Sequence, residues 1–178
     1  MTFRQFLFIA ALLAAASVAG SGVHPQAPVA PTEPVEPVTD EVIDLHGLAG
    51  VEFGDSQREL VERGMLHQTP ESCGPALVGQ ETASPVFRDD RLVLLWVSAP
   101  VRTPEGVTVG TPVGDLRSRF PSLTRLDAPE GTYRFDGLLA QRGDRAYLFL
   151  HDGRTVRKTI AGYADYAQRL FDEGHGPC

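Results

Sequence analysis

Two cysteines carry the most reactive side chains of this sequence. Cys73 lies in the segment ESCGP, and Cys178 is the last residue. A thiol beside an imidazole can act as a nucleophile, with His46, His67 or His151 as the base. No family signature surrounds Cys73, however, and the N-terminal residues have the pattern of an export signal. A cysteine pair usually oxidises after export. We therefore predict a Cys73–Cys178 disulfide, and a secreted hydrolase that uses Cys73 or a serine is the alternative.

Other catalytic and metal-binding chemistry lacks the spacing that it needs. No histidine has another histidine three or four residues away, so no metal site of the usual local kind is predicted. Asp89 and Asp90 are a pair typical of a turn rather than of a two-acid hydrolase. The serines lie outside the GxSxG pattern of a nucleophile elbow: Ser56, Ser72, Ser84 and Ser98. We predict a protein that is not an enzyme and that uses no cofactor.

The first twenty residues have the pattern of an export signal. Arg4 begins it, the apolar run FLFIAALLAAA follows, and the small residues of SVAGSG close it. The apolar run is shorter than the about 20 residues that span a bilayer, so we expect cleavage after Ala19 or Gly20. The predicted product is secreted or associated with the envelope of a bacterial cell, without stable membrane insertion. A retained single-pass anchor is the alternative.

Residues 21–43 form a proline-rich linker in this prediction. Proline recurs at every third position in PQAPVAPTEPVEP, which matches the three residues per turn of a polyproline II helix. We interpret the segment as an extended spacer, with a PxxP ligand as the alternative.

The chain carries a net charge of −7, which argues against a nucleic-acid partner. An extracellular or envelope protein is the partner class that remains.

A duplicated segment organises the rest of the sequence. GVEFGDSQREL starts at Gly50 and GVTVGTPVGDL starts at Gly106, and each predicts a short strand, a glycine turn and a helix. Two acidic turns follow, Asp89-Asp90 in the first copy and Asp152-Gly153 in the second, and each indicates a β-hairpin. The predicted fold class is therefore α+β, with two tandem strand-helix-antiparallel-sheet repeats that form one helix-on-sheet domain.

The predicted domain covers residues 44–178. Repeat one is assigned to 44–101, repeat two to 102–161 and a C-terminal helical segment to 162–178. In that last segment the apolar residues follow a helical period and Gly174 is a stop signal: Tyr163, Tyr166, Ala167, Leu170 and Phe171.

A binding face follows from the expected hairpin pairing. If Asp89-Asp90 and Asp152-Gly153 are both two-residue turns, Val86, Val93 and Phe149 face the helices. The opposite face is then too apolar to be bare, and the linker, the C-terminal segment, the second repeat or a partner protein covers it. Its predicted residues are Phe87, Leu92, Leu94, Trp96, Leu148, Leu150 and Arg157.

Residues 44–178 resemble a group of secreted actinobacterial proteins of unknown function. The clearest motif of this resemblance is GVTVGTPVGDLRSRFP, which begins at Gly106. The organisation is similar to that of tandem-repeat β-lactamase-inhibitor-like and outer-membrane-assembly lipoprotein-like α+β domains. The resemblance implies a helix-on-sheet unit used twice, with a concave sheet surface that grips a partner. The expected function is a secreted, non-catalytic binding or interaction module that acts through an open sheet face.

Overall fold

The computed structural model describes residues 41–67 and 74–174. Within these ranges the chain forms short strands, one large sheet and three helices. The strands are β1 (Gly47–Leu48), β2 (Val51–Glu52), β3 (Leu66–His67), β4 (Ala76–Leu77), β5 (Ala83–Arg88), β6 (Arg91–Val97), β7 (Thr124–Leu126), β8 (Asp136–Arg142), β9 (Arg145–His151) and β10 (Val156–Tyr163). The helices are α1 (Gln57–Glu62), α2 (Val113–Arg119) and α3 (Ala164–Glu173). None of these helices is long and apolar enough to cross a membrane.

The large sheet has six strands in the spatial order β5-β6-β10-β9-β8-β7, and every neighbouring pair is antiparallel. Two further sheets have two strands each, β1 with β2 and β3 with β4. The predicted α+β helix-on-sheet fold is therefore wrong, because the domain is mostly β and its two sequence repeats do not build separate helix-covered sheets. The β6–β10 pairing explains the difference, since it joins the two hairpins edge to edge into one sheet.

A hydrophobic core lies on each face of the large sheet. On one face, which we call the α1/α2 face, the core contains Leu60 from α1 and Leu116 from α2 together with Phe149 of the sheet. On the other, the α3 face, the core contains Leu148 of the sheet with Ala167 and Phe171 from α3. The alternation of Leu148 and Phe149 between the two cores is the two-residue period expected of a strand.

The two predicted hairpins differ in their agreement with the structure. The Asp89-Asp90 turn is confirmed, since Arg88 pairs with Arg91 and both aspartates have positive φ. The next expected pair, Val86 with Val93, is not formed. A β-bulge lies at this point and Val86 instead pairs with Leu94.

The predicted Asp152-Gly153 two-residue turn is wrong. Strand pairing stops at His151 with Val156, which leaves a four-residue loop. The physical reason lies in the Asp152 side chain, whose Oδ1 accepts hydrogen bonds from the amides of Arg154 and Thr155, both at 2.9 Å. These hydrogen bonds hold the loop in a local turn, and the first β9–β10 pair therefore forms further from the turn than the two-residue prediction required.

The duplicated sequence survives as a local motif that ties each short helix to a hairpin. The amide of Gly54 donates to the carbonyl of Leu92 at 2.9 Å, and the amide of Gly110 donates to the carbonyl of Val156 at 2.8 Å. Both glycines have positive φ, 105° and 94°, which favours glycine at the turn before each helix. The motif fixes where α1 and α2 begin, while the pairing of strands decides the fold.

Several predictions fall outside the described residues. They are the signal peptide, nearly all of the linker, and both members of the predicted disulfide, Cys73 and Cys178. Of the linker, residues 41–43 are described, and Ile43 is fully buried in the core of the α1/α2 face. The packed part of the chain thus includes the end of the segment assigned to the linker.

Candidate functional site: an apolar groove on the α3 face

The seven residues of the predicted binding face do not form one surface. The bulge at Val93 reverses the alternation of side chains between the two faces of β6. Leu92 therefore packs into the core of the α1/α2 face, while Leu94 packs into the core of the α3 face. Leu148 of β9 also packs into the core of the α3 face. These three leucines are at most 2% exposed. Phe87, Trp96 and Leu150 are partly exposed, and Arg157 is exposed.

The C-terminal helix covers the face that the sequence predicted to be open. The C-terminal segment, assigned to residues 162–178, contains α3, and Gly174 caps this helix in the left-handed conformation as its stop signal predicted. Ala164, Ala167 and Phe171 are its buried residues. Cover by the C-terminal segment is one of the four alternatives that the sequence left open, and it leaves only part of this sheet face accessible.

The accessible part is a groove of about 220 Å³ beside Trp96 and Leu150. Trp96 and Leu150 come from β6 and β9, while Leu170 and Phe171 come from the end of α3. The connection between β7 and β8 forms the remaining wall with Tyr133, Arg134 and Phe135. Two of the seven predicted binding residues, Trp96 and Leu150, therefore lie together in one accessible site.

Polar contacts hold the connection that presents the aromatic wall. The Asp136 carboxylate accepts a hydrogen bond from the amide of Ala128 at 3.0 Å, which closes the connection at its base. The Arg134 guanidinium lies 5.4 Å from the centre of the Phe171 ring, a cation–π distance. These contacts join the aromatic wall to α3 and give the groove a defined shape.

The aromatic side chains of this wall are unusually exposed. Tyr133 is fully exposed and Phe135 is 37% exposed. At the base of the groove, the indole Nε1 of Trp96 is buried and has no hydrogen-bond partner within the described residues. Exposed aromatic rings beside an unpartnered donor are typical of surfaces that another molecule completes.

The charged residues of the groove are cationic. Arg134 and Lys158 line it, and none of its described lining residues is a carboxylate. The whole chain has a net charge of −7, so this small region has the opposite sign to the molecule. An apolar groove with cations at its rim attracts ligands that combine apolar groups with negative charge.

Sequence reasoning missed the wall formed by Tyr133, Arg134 and Phe135. These residues follow PEGT in a segment with glycine and proline, where no helical or alternating period marks a face. The two aromatic residues in a turn-rich segment were the one indication of a binding surface in the sequence. Large rings on a loop often contact another molecule.

Two of the residues considered for catalysis, Ser56 and His151, make local structural contacts. The Ser56 hydroxyl accepts from the Glu59 amide at 3.1 Å and is the N-cap of α1. The His151 Nδ1 accepts from the Gly153 amide at 3.1 Å, while burial lowers the pKa of this imidazole. No group of three or more metal-ligating side chains occurs among the described residues.

The structure thus defines a mostly β domain with a groove that is apolar inside and cationic at its rim. Comparison of the chain with known proteins finds no matching family, no matching curated relative and no matching solved structure.

Proposed function

We propose that this protein is an exported, non-catalytic binding module that holds an extended, acidic segment of an extracellular or envelope protein. The segment lies in the groove beside Trp96 and contacts Tyr133 and Phe135 on its outer wall. The exposure of these aromatic rings is the observation that carries the proposal. Association would bury them against apolar groups of the partner.

Shape supports an extended peptide as the occupant. The groove is a shallow channel of about 220 Å³, below the usual size of an enclosed small-molecule pocket. Aromatic-lined channels of this kind suit segments that contain proline, because a polyproline II helix is already extended and loses little entropy on binding.

Charge supports an acidic sequence. Carboxylates of the bound segment would meet Arg134 and Lys158, which are the cations of the groove. The guanidinium of Arg134 can bind a carboxylate through two parallel hydrogen bonds, a geometry that favours carboxylate over a neutral amide. Basic segments are disfavoured at the same position by charge repulsion.

A charge-swap titration tests the proposal. The probe is the peptide acetyl-Leu-Glu-Pro-Leu-Glu-Pro-amide, and its counterpart has lysine in place of both glutamates. Calorimetry is expected to detect binding of the acidic peptide alone to the native protein. Arg134→Glu is expected to weaken that binding by about tenfold or more, because it replaces an attractive contact with a repulsive one.

The control for the charge swap is Arg117→Glu. Arg117 is exposed on α2, on the other face of the sheet, and it carries the same change in net charge. It is expected to leave affinity within about twofold of the native value at moderate salt. Equal loss in both variants, or tighter binding of the lysine peptide to the native protein, would refute the proposed occupant.

A further inference from the structure

A second cavity lies at the end of the β8–β9 hairpin. It is a cleft of about 460 Å³, within the size range of small-molecule sites. Its lining differs from that of the groove because both signs of charge are present. The lining residues with polar or ionisable side chains are Asp44, His46, Glu105, Arg142, Asp144, Arg145 and Tyr147.

Glu105 supplies a carboxylate oxygen that lacks a donor. Its Oε2 is buried and accepts no hydrogen bond from any described residue. The backbone around it is fixed, since the Arg119 guanidinium donates to the Glu105 carbonyl at 2.8 Å and the Gly106 amide donates to the Thr103 carbonyl at 2.8 Å. A buried carboxylate oxygen without a donor is costly, so a cationic ligand group would be stabilised there.

Asp44 adds a second carboxylate to the lining of the cleft, and Tyr147 adds a hydroxyl. Burial tends to raise the pKa of Asp44, but hydrogen bonds from the amides of Gly47 and His46 outweigh it and lower that pKa overall. The Tyr147 hydroxyl donates to the Ile43 carbonyl at 3.3 Å. Burial raises its pKa, and the charges of Glu105 and Asp44 add to that shift. The hydroxyl therefore stays neutral and adds no charge to the cleft.

The β8–β9 hairpin contributes two arginines, Arg142 and Arg145, and one carboxylate, Asp144, to the lining of the cleft. Arg142 and Arg145 are cross-strand partners at the end of the hairpin. Arg145 is already engaged, because it forms an ion pair with Asp144 at 2.8 Å and lies 3.5 Å from the centre of the Tyr163 ring. Arg142 is exposed and forms no ion pair with the residues that the structure describes. Its guanidinium is available to an anionic group.

From this arrangement we infer that the cleft binds a small zwitterion, an amino acid or a dipeptide. The ammonium group meets the Glu105 carboxylate, and the carboxylate of the ligand meets Arg142. Neither a simple cation nor a simple anion uses both the unpartnered carboxylate and the unpaired arginine, whereas a zwitterion contacts both. The site is separate from the groove and does not depend on the function proposed for it.

Three probes that differ only in charge test this inference on the native protein. They are glycylglycine, N-acetyl-glycylglycine, which lacks the ammonium group, and glycylglycinamide, which lacks the carboxylate. Glycylglycine is expected to shift the amide resonances of His46 and Gly47 saturably. Each of the other two is expected to bind at least about tenfold more weakly, since a charge-assisted hydrogen bond is lost.

Two variants assign the two ends of the ligand. Glu105→Gln and Arg142→Gln are each expected to weaken glycylglycine binding by about tenfold, while Glu81→Gln, which does not line the cleft, has no effect. Arg142 is exposed on a hairpin, so its variant tests the inference even if Glu105→Gln disturbs folding. No saturable shift up to about 10 mM ligand would overturn it, as would equal affinity for all three probes.

Discussion

The two faces of the six-stranded sheet are covered to different extents. On the α1/α2 face, helices and small hairpins bury the aromatic cluster of Phe120, Tyr147 and Phe149, whose members are at most 6% exposed. On the α3 face, one helix of ten residues is the main cover. A helix is about 10 Å wide, while six strands extend over about 24 Å, so a single helix leaves part of a sheet uncovered.

This difference shows where a binding surface can arise in a small β domain. The α1/α2 face is packed for stability, and its aromatic rings contact each other at centroid distances of 5.3–5.9 Å. The groove on the α3 face lies where the cover ends, between α3 and the connection from β7 to β8. Substitutions on the first face should therefore act on stability, and those on the groove wall should act on binding.

The largest effect is expected from Phe149→Ala on the α1/α2 face. Phe149 is fully buried and contacts both other aromatic rings of its cluster, so truncation is expected to cost about 3–5 kcal/mol of unfolding free energy. Phe171→Ala on the α3 face should cost less, because Phe171 borders the groove. Urea denaturation measures the unfolding free energy of both variants. An equal or larger loss of unfolding free energy for Phe171→Ala would contradict the difference between the two faces.

The two helices that cover the α1/α2 face begin in different ways. Ser56 and Glu59 form a capping box at the start of α1, whereas the Pro112 N-cap of α2 provides no side-chain hydrogen bond. Ser56→Ala is expected to lower the unfolding free energy by about 1 kcal/mol. Ser118→Ala at the other end of α2 is the control in the same denaturation series. A loss from Ser118→Ala as large as that from Ser56→Ala would show that the cap has no special role.

Acidification is expected to lower stability through His151. Burial lowers the pKa of this imidazole below its ordinary 6.5, with the charge of Asp136 opposing the shift, and Nε2 lacks a described hydrogen-bond partner. The unfolded chain therefore binds the proton more readily. The contribution of neutral His151 to the unfolding free energy is complete above the pKa of about 6.5 that the imidazole has in the unfolded chain. It is lost as pH falls through the lower pKa of His151 in the folded protein.

The measurement is the urea midpoint at about pH 7.5 and about pH 5.5, above the range where lowered carboxyl pKa values act. His151→Asn keeps an acceptor for the Gly153 amide but cannot titrate. Its midpoint should fall less between the two pH values than that of the native protein. An identical fall in both would mean that His151 does not control stability in this range.

The smallest stability effect is expected on the groove wall. Tyr133 is fully exposed, so Tyr133→Ser should change the unfolding free energy by no more than about 0.5 kcal/mol. Thermal denaturation measures this against Val78→Ser, a change at another exposed apolar residue. A larger loss for Tyr133→Ser would place its ring in the fold rather than in a binding surface.

Local structure was more predictable from the sequence than strand pairing was. The Asp89-Asp90 turn, the α1 capping box and the glycine at the end of α3 each depend on residues within one turn of the chain. The β6–β10 pairing joins segments about 65 residues apart, and no local pattern encodes which edges meet.

The candidate site was predictable only in part for the same reason. Trp96 and Leu150 stood out as apolar residues on strands, and the structure places both in the groove. The bulge at Val93 moved Leu92 to the opposite face, since one extra residue reverses the side-chain alternation of a strand. The aromatic wall came from a connection without periodicity, so its position depends on the folded chain.

The most direct test of the binding groove uses the fluorescence of Trp96, which is the only tryptophan of the chain. Titration with the acidic Leu-Glu-Pro peptide is expected to shift its emission saturably in the native protein and in Val78→Ser. The same titration of Tyr133→Ser should show binding weakened by about tenfold. An unchanged emission in the native protein, or equal affinity in Tyr133→Ser, would contradict the account.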